Sequence, residues 1–526
     1  MTNQYSNISD SANLENIELN EKFLHALNLM EKTQKDIFIT GKAGTGKSTL
    51  LHYFKNTTKK KIAVLAPTGV AALNVGGQTI HSFFNFQPDI TLKSIKYISD
   101  NKVYRLIDTI IIDEISMVRA DLLDYVDKFL RLNGKNLDEP FGGVQMIFIG
   151  DLYQLPPIIR GKEKEIFNTH YKSQYFFDSK VFENIDLEFI ELEKIYRQKD
   201  KRFIELLNGV RNRTFTEEDI EELNKRVNAD FETPKDDFYI NLTTTNELSN
   251  SINEKELSKI KGKLFEFKGE IKGKFDKNSL PTELNLKIKI GSQIMLLNND
   301  SGHRWVNGTV GKVIDIEENK GEKMLILELF NGKKVKVSKH TWDIYKLYYN
   351  NEIKSLDSET IGSFTQYPIR LAWAVTIHKG QGKTFDNVII DIGRGAFAYG
   401  QVYVALSRCT SLNGIILKKP IKKEHILMDW KVVNFLTKYQ YNLSDKKYPL
   451  KNKIEIIKNA IKNKSKLEIV YLKTNDTKTK RIIFPIKVGK MEYQGKEYLG
   501  VEAYCHLRED DRVFRVDRIL EINEAK

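Results

Sequence analysis

Short, uninterrupted apolar runs punctuate the first third of the chain: Ile37-Phe38-Ile39, Ile62 to Ala66, Ile110-Ile111-Ile112 and Met146 to Ile149. Runs this short, with no alternation, predict strands buried on both faces. Stretches of helical character, such as Asp121 to Leu132, separate them. Strands alternating with helices predict an α/β fold built on a parallel sheet. A second α/β block is expected from about Glu191 to Trp430. A β-rich stretch interrupts it near Gly291 to Gln366, including Gly308-Thr309-Val310-Gly311 and Lys333 to Val337. Residues near 431–450 read as a linker, and the stretch beyond carries its own helix and several strands. Residues 1–18, rich in Asn, Ser and Glu, read as disordered.

Length and composition narrow the class. At roughly 150 residues per domain, a chain of 526 residues predicts three or four domains. Hydrophobic residues at 41% and charged residues at 29% supply enough apolar mass for packed cores. The net charge of +13 favours a polyanionic partner, although surplus surface lysine also serves solubility. Two distant cysteines, Cys409 and Cys505, offer neither a disulfide framework nor zinc spacing. Met1 to Asn20 lacks the apolar core of a signal peptide, and no apolar run is long enough to span a bilayer. The expectation is a soluble, intracellular protein.

The clearest chemistry lies after the first strand. Gly41-Lys42-Ala43-Gly44-Thr45-Gly46-Lys47-Ser48 matches the phosphate-binding loop in full, with Thr49 following. A strand precedes it and a helix-like run follows, as the motif requires. Its glycines let backbone N–H groups turn inward around phosphates, and the helix N-terminus adds positive potential. Lys47 is expected to reach the β- and γ-phosphates, and the Ser48 hydroxyl to ligate magnesium. The strand Ile110 to Ile112 ends in Asp113-Glu114. Asp113 is expected to hold the magnesium ion, and Glu114 to orient or deprotonate the attacking water. A strand ending in two acids is common by itself; on the same predicted sheet as the phosphate loop it points to nucleoside triphosphate hydrolysis.

Further motifs follow in order. They are Ala66-Pro67-Thr68-Gly69-Val70-Ala71-Ala72, Thr79-Ile80-His81-Ser82-Phe83-Phe84, Asp113 to Met117, and Gly150-Asp151-Leu152-Tyr153-Gln154-Leu155-Pro156-Pro157. Then come Tyr196-Arg197-Gln198, Leu242 to Asn246, Ala374 to Gly382 with its Ile377-His378-Lys379-Gly380-Gln381-Gly382, and Val402 to Arg408. Over roughly residues 20–430 this series resembles the superfamily 1B DNA helicases, specifically the Pif-type family and its relatives RecD and phage Dda.

The resemblance implies two RecA-like parallel-sheet domains with ATP in the cleft between them. It also implies 5′-to-3′ translocation on single-stranded DNA, with opening of forked or 5′-tailed duplexes. The first domain would span 19–190, with a duplex-splitting wedge at about 85–107, starting near Pro88. The second would span 191–435, with an SH3-like β insertion at about 296–360. By the same resemblance Gln154 senses the γ-phosphate, Gly382 lies near it, and Arg197 and Arg408 are arginine fingers from the second domain. A finger is worth about 10³–10⁵ in rate, and its delivery from a second domain makes hydrolysis depend on cleft closure. Each arginine taken singly reads as a surface or salt-bridged residue; the motif context decides otherwise. For DNA, the loops at strand ends are expected to act: Pro67, Thr68, Thr244 or Thr245, and Asn246, with His81, Phe83, Phe84, His378 and Lys379. Aromatic groups there offer stacking, while the alternative for Phe83 and Phe84 is core packing.

One departure concerns the base pocket. Relatives carry a glutamine shortly before the phosphate-loop strand that reads adenine; here the matching stretch is Asn20-Glu21-Lys22-Phe23-Leu24. Other nucleotides are therefore expected to be accepted.

The tail, Tyr498 to Arg508 followed by Val513-Phe514-Arg515-Val516-Asp517-Arg518-Ile519, resembles a WYL domain over 450–526, after a linker at 436–449. Its namesake tryptophan is replaced by Glu497. Arg481, His506, Arg508 and Arg515 are expected to form a pocket for phosphate or nucleotide; the alternative is a solvated face with Asp517 pairing an arginine. The leading reading is a helicase acting as a monomer, with a dimer on DNA as the variant, in which the tail module tunes DNA binding or ATPase. The rivals are a RecD-like translocase subunit of a nuclease complex and an ATP-switched regulator.

Overall fold

The computed structural model describes residues 20–87, 90–159, 167, 169–234, 237–275, 277, 280–319, 322–350, 352, 355–393, 395, 398–493 and 495–525. The chain forms two compact units, one of residues up to 210 together with 215–427, the other of 211–214 with 428–526. The tail expected to be disordered, 1–18, and Pro88 at the start of the expected wedge lie outside the described residues.

In the larger unit the first lobe is a six-stranded sheet. Its strands are β1 (Asp36–Gly41), β2 (Ile62–Ala66), β3 (Gln78–Thr79), β4 (Thr109–Ile112), β5 (Gln145–Gly150) and β6 (Leu187–Leu192), in the order β3-β2-β4-β5-β1-β6. Every pairing is parallel, with Ile37 beside Ile147 and Ile110 beside Met146. The apolar runs of β1, β4 and β5 are buried almost end to end, because helices cover both faces. Parallel strands put their C-terminal ends on one edge. The phosphate loop after β1, the acid pair after β4 and the Asp151–Gln154 turn after β5 therefore meet there.

The second lobe centres on a four-stranded parallel sheet of Ala374–Thr376, Ile240–Thr243, Val388–Asp391 and Ile415–Leu417, in that order. The β insertion is larger than 296–360. A five-stranded antiparallel sheet runs from Gln293–Leu296 to Ile369–Leu371, with Phe265–Lys268 and Asn285–Ile288 paired beside it. Leu286, Ile294, Val313, Leu325, Leu327 and Ile369 form its core. The region expected to hold a wedge, about 85–107, contains a short 3-10 turn, Leu92–Ser94, and a helix, Lys102–Leu106.

The smaller unit corrects one boundary. Residues 436–447, expected as linker, lie in the helix Trp430–Lys447, which buries Val432, Val433, Leu436 and Ser444. A second helix, Leu450–Asn463, follows, then a five-stranded antiparallel sheet. Ile457, Ile469, Ile483, Val501 and Phe514 make its core. Among the described residues no helix is long and apolar enough to cross a membrane.

Candidate functional site

A cavity of about 680 Å³ opens over the phosphate loop. Ala43, Gly44, Thr45, Gly46, Lys47, Ser48 and Thr49 line it, with Asp113, Glu114 and Gln154 from the first lobe and Gly382, Thr384 and Arg408 from the second. Gly44 holds the left-handed φ of 81° that the loop's turn demands, and a Cβ there would strike Arg197. Lys47 folds onto its own loop, its Nζ donating to the carbonyls of Gly41 at 2.7 Å and Lys42 at 3.0 Å. Burial holds its pKa below the ordinary lysine value.

Opposite Lys47 sit the two acids, Asp113 buried and Glu114 half-buried. Burial, and then the neighbouring Glu114, push Asp113 up to about 7. Burial also raises Glu114, against the pull of Lys47 and Arg408. Two carboxyl groups so placed, with the Ser48 hydroxyl on the same wall, fit a divalent cation that takes its remaining ligands from phosphate and water. Glu114 itself has a left-handed φ of 52°, a strained backbone for a non-glycine residue at a strand end.

The two arginines reach the cavity by different routes. Arg408 leaves the second-lobe helix Gln401–Leu406 and is buried, its Nε donating to Val404 O at 3.1 Å and its Nη2 to Ser407 Oγ at 3.1 Å. Arg197, expected from the second domain, instead follows β6 of the first-lobe sheet. Its neighbour Tyr196 donates a backbone N–H to Gly44 O at 2.8 Å, and Arg197 donates to Ser407 O at 3.1 Å. Burial beside Arg408 lowers Arg197 to about 9. Only Arg408 therefore comes from the second lobe proper.

Several residues here escaped the sequence reading. Phe23 and Tyr196 flank the loop near Gly46. Asn20, which opens the stretch where the glutamine is missing, caps its helix through Phe23 N at 2.9 Å and donates to Tyr196 Oη at 3.1 Å. The Tyr403 hydroxyl accepts from Ala43 N–H at 2.9 Å and donates to Asp151 Oδ2 at 3.3 Å. Gln381 donates to Glu114 Oε2 at 3.0 Å. The tyrosine and the glutamine lay inside recognised motifs, but nothing local showed what they would face.

The expected DNA contacts divide. Thr68, Thr245 and Asn246 are exposed, and Pro67 and Thr244 half-buried, at the ends of β2 and Ile240–Thr243. The two exposed threonines cap the helices that follow, Thr68 through Ala71 N and Thr245 through Leu248 N. His81 is half-buried; so is His378, whose pKa burial lowers, while Lys379 beside it is exposed. Phe83 does not face solvent. It packs with Phe84 at 4.8 Å and Tyr104 at 5.5 Å in an aromatic cluster that extends to Phe86 and Phe129, so both phenylalanines belong to the core.

The smaller unit has its own cavity, about 480 Å³, lined by Tyr471, Lys473, Arg481, Arg508, Arg512, Val513 and Phe514. Four cations and no carboxylate make its wall. Lys473 is held below its ordinary pKa by burial and by Arg481 and Arg508. Arg481 lies over the Phe514 ring at 5.7 Å. Arg515 and His506 are not on this wall. Arg515 is engaged elsewhere: it pairs with Asp517 at 2.6 Å and lies over Tyr498. His506 packs edge-on against Tyr504.

Comparisons with known proteins agree with this geometry. Residues 18–221 match the model of the PIF1-like helicase, and residues 452–524 that of the WYL domain. The chain is 31% identical over 436 residues to the ATP-dependent DNA helicase Pif1 of Bdellovibrio bacteriovorus, covering 81% of this chain and 93% of that protein. It is 30% identical over 464 residues to the helicase RRM3 of Saccharomyces cerevisiae, of whose length it spans 63%. The crystal structure of Bacteroides sp Pif1 in complex with ADP-AlF4 superposes with a TM-score of 0.73 at 36% identity, over 80% of this chain and 97% of that one. The same Bacteroides protein bound to ssDNA matches with a TM-score of 0.58, over 82% and 97%. With phosphate loop, acid pair and second-lobe arginine gathered in one cleft, the chain belongs to the PIF1-like helicase family of ATP-dependent DNA helicases.

Proposed function

We propose that this chain translocates 5′-to-3′ on single-stranded DNA and opens 5′-tailed or forked duplexes, driven by hydrolysis of magnesium-bound ATP. The observation that carries the reading is the meeting of Arg408 with Glu114 and Lys47 around one cavity. Charge developing on the transferred phosphoryl group needs positive groups on both sides, and Arg408 supplies the second side when the lobes close. Ser48 and Asp113 would hold the magnesium ion, which supplies charge neutralisation at the phosphates. Glu114 would orient the water, and Gln154, whose Nε2 lies 3.3 Å from Asp151 Oδ2, would read the γ-phosphate. The exposed Thr68, Thr245 and Lys379 would grip the DNA backbone; the similar Bacteroides Pif1 has been solved bound to ssDNA.

The WYL module would bind single-stranded DNA through its cationic cavity and tune the motor. Guanidinium groups beside the half-buried Tyr471 suit a chain of phosphates and a stacked base. The deciding experiment presents duplexes with a 5′ or a 3′ single-stranded tail, with ATP and magnesium. Opening of the 5′-tailed substrate alone is expected; preference for the 3′ tail overturns the polarity. Truncation after Tyr448 is expected to weaken DNA affinity and change DNA-stimulated ATPase. Unchanged values for both would remove the module from DNA binding.

A further inference from the structure

The segment from Thr376 to Lys383 is wound into consecutive turns. Lys379 N–H donates to Thr376 Oγ1, Gly380 N–H to Thr376 O, Gln381 N–H to His378 O and Lys383 N–H to Gly380 O. These bonds link the segment's residues to one another from Thr376 to Lys383. Three functions sit on it. His378 and Lys379 lie at its solvent side, among the proposed DNA contacts. The Lys383 carbonyl accepts from Arg408 Nη1 at 3.4 Å, so the segment also seats the finger. Between them the buried Gln381 reaches across the cleft and donates Nε2–H to Glu114 Oε2 at 3.0 Å.

On its own lobe Glu114 is held through its backbone, its carbonyl accepting Met117 N–H at 3.0 Å. Its backbone is left-handed, and among the described residues Gln381 is the hydrogen-bond donor that its carboxylate has. A donor fixed on one carboxylate oxygen sets the side-chain rotamer and leaves the other oxygen for water. A 1 Å misplacement of such a group is costly in rate.

We propose that Gln381 is the positioning residue through which DNA held on the second lobe aligns Glu114 of the first, making hydrolysis DNA-dependent. This rests on the reading of Glu114 as the water-orienting group. Gln381 touches no reacting atom; it acts through Glu114.

The test uses the full chain, an oligo-dT strand, and ATP turnover measured with and without that strand. Gln381→Leu removes the donor, and Gln381→Glu keeps the shape while replacing the donor with a carboxylate. Both are expected to lower DNA-stimulated kcat roughly 10- to 100-fold, the size of a hydrogen bond to a charged group. In Gln381→Leu the KM for ATP, the affinity for oligo-dT by fluorescence anisotropy and the melting temperature should stay at parent values. The ratio of stimulated to basal turnover should fall in both variants. A parent-like ratio in Gln381→Leu overturns the proposal. So does a loss of oligo-dT affinity that accounts for the lost rate, which would make Gln381 a DNA contact. Glu114→Gln separates the underlying reading: if that variant still turns over ATP at the parent rate, Glu114 is not the water-orienting group, whatever Gln381 does.

Discussion

The Tyr403 hydroxyl accepts a hydrogen bond from the backbone N–H of Ala43 at 2.9 Å, tying a second-lobe helix to the phosphate loop of the first. The same hydroxyl lies 3.3 Å from Asp151, whose carboxylate also meets the Gln154 amide. One phenol thus joins the loop that holds phosphate to the turn that would sense it. Tyr403→Phe deletes that oxygen while keeping the buried ring. It is expected to reduce kcat for ATP roughly 5- to 10-fold with a smaller change in KM, as loss of a buried hydrogen bond predicts. Steady-state ATPase assays check this, and an unchanged kcat would show the contact to be incidental to turnover.

Arg408 should be indispensable to chemistry and dispensable for binding. Arg408→Ala is expected to lower DNA-stimulated turnover by about 10³-fold or more, while a fluorescent ATP analogue still binds. Arg408→Lys should not restore the rate, because the present guanidinium reaches Val404, Ser407 and Lys383 at once through three different nitrogens. Stopped-flow binding beside ATPase assays distinguishes the two steps.

The cationic cavity of the WYL module makes a prediction that discriminates between arginines. Arg481→Glu with Arg508→Glu should weaken single-stranded DNA binding and make it less sensitive to salt, since each lost phosphate contact flattens the log–log slope by about 0.7. Arg515→Ala should leave both unchanged, because Arg515 is committed to Asp517 and Tyr498. Titration of the oligonucleotide across a salt series reads both outcomes.

Asp36, at the start of β1, predicts a pH dependence of stability. Burial pushes its pKa up to about 7, although it accepts Met146 N–H at 2.7 Å. An acid whose folded pKa lies above its unfolded one favours the fold only when protonated. Its contribution is full below about pH 4, is lost as pH rises from there to about 7, and is constant above. Asp36→Asn keeps an acceptor for Met146 without the charge. It should stabilise the larger unit at pH 8 by on the order of 1–2 kcal/mol and flatten the dependence between pH 5 and 7. Thermal melts at pH 5 and pH 8 test this; an Asn variant less stable at pH 8 would refute it.

Contiguous features were legible in the chain alone. Four buried strands of the first sheet are unbroken apolar runs, and the strand Ile62–Ala66 was read to the residue. The phosphate loop is a continuous glycine-rich segment between a strand and a helix, so both its structure and its chemistry are local. Hydrophobic pattern, however, reports burial without naming the neighbour. Phe83 looked equally suited to stacking on DNA and to packing, and only the cluster with Tyr104 and Phe129 placed it in the core. Residues 436–449 look like a linker in sequence because the polar face of the helix Trp430–Lys447 hides the buried stripe of Val432, Val433 and Leu436. In the WYL module a single step along the strand separates Arg515 from the cavity that Arg512 and Phe514 line.

What sequence order determined, then, is which segments are strands, where the glycine-rich loop falls between strand and helix and which acids end a strand beside it. Tertiary structure decided the pairings across the cleft: Gln381 with Glu114, Tyr403 with Ala43, Arg408 with the cavity. Those partners lie hundreds of residues apart. Their meeting depends on where two independently built sheets set their strand ends, which no local propensity encodes.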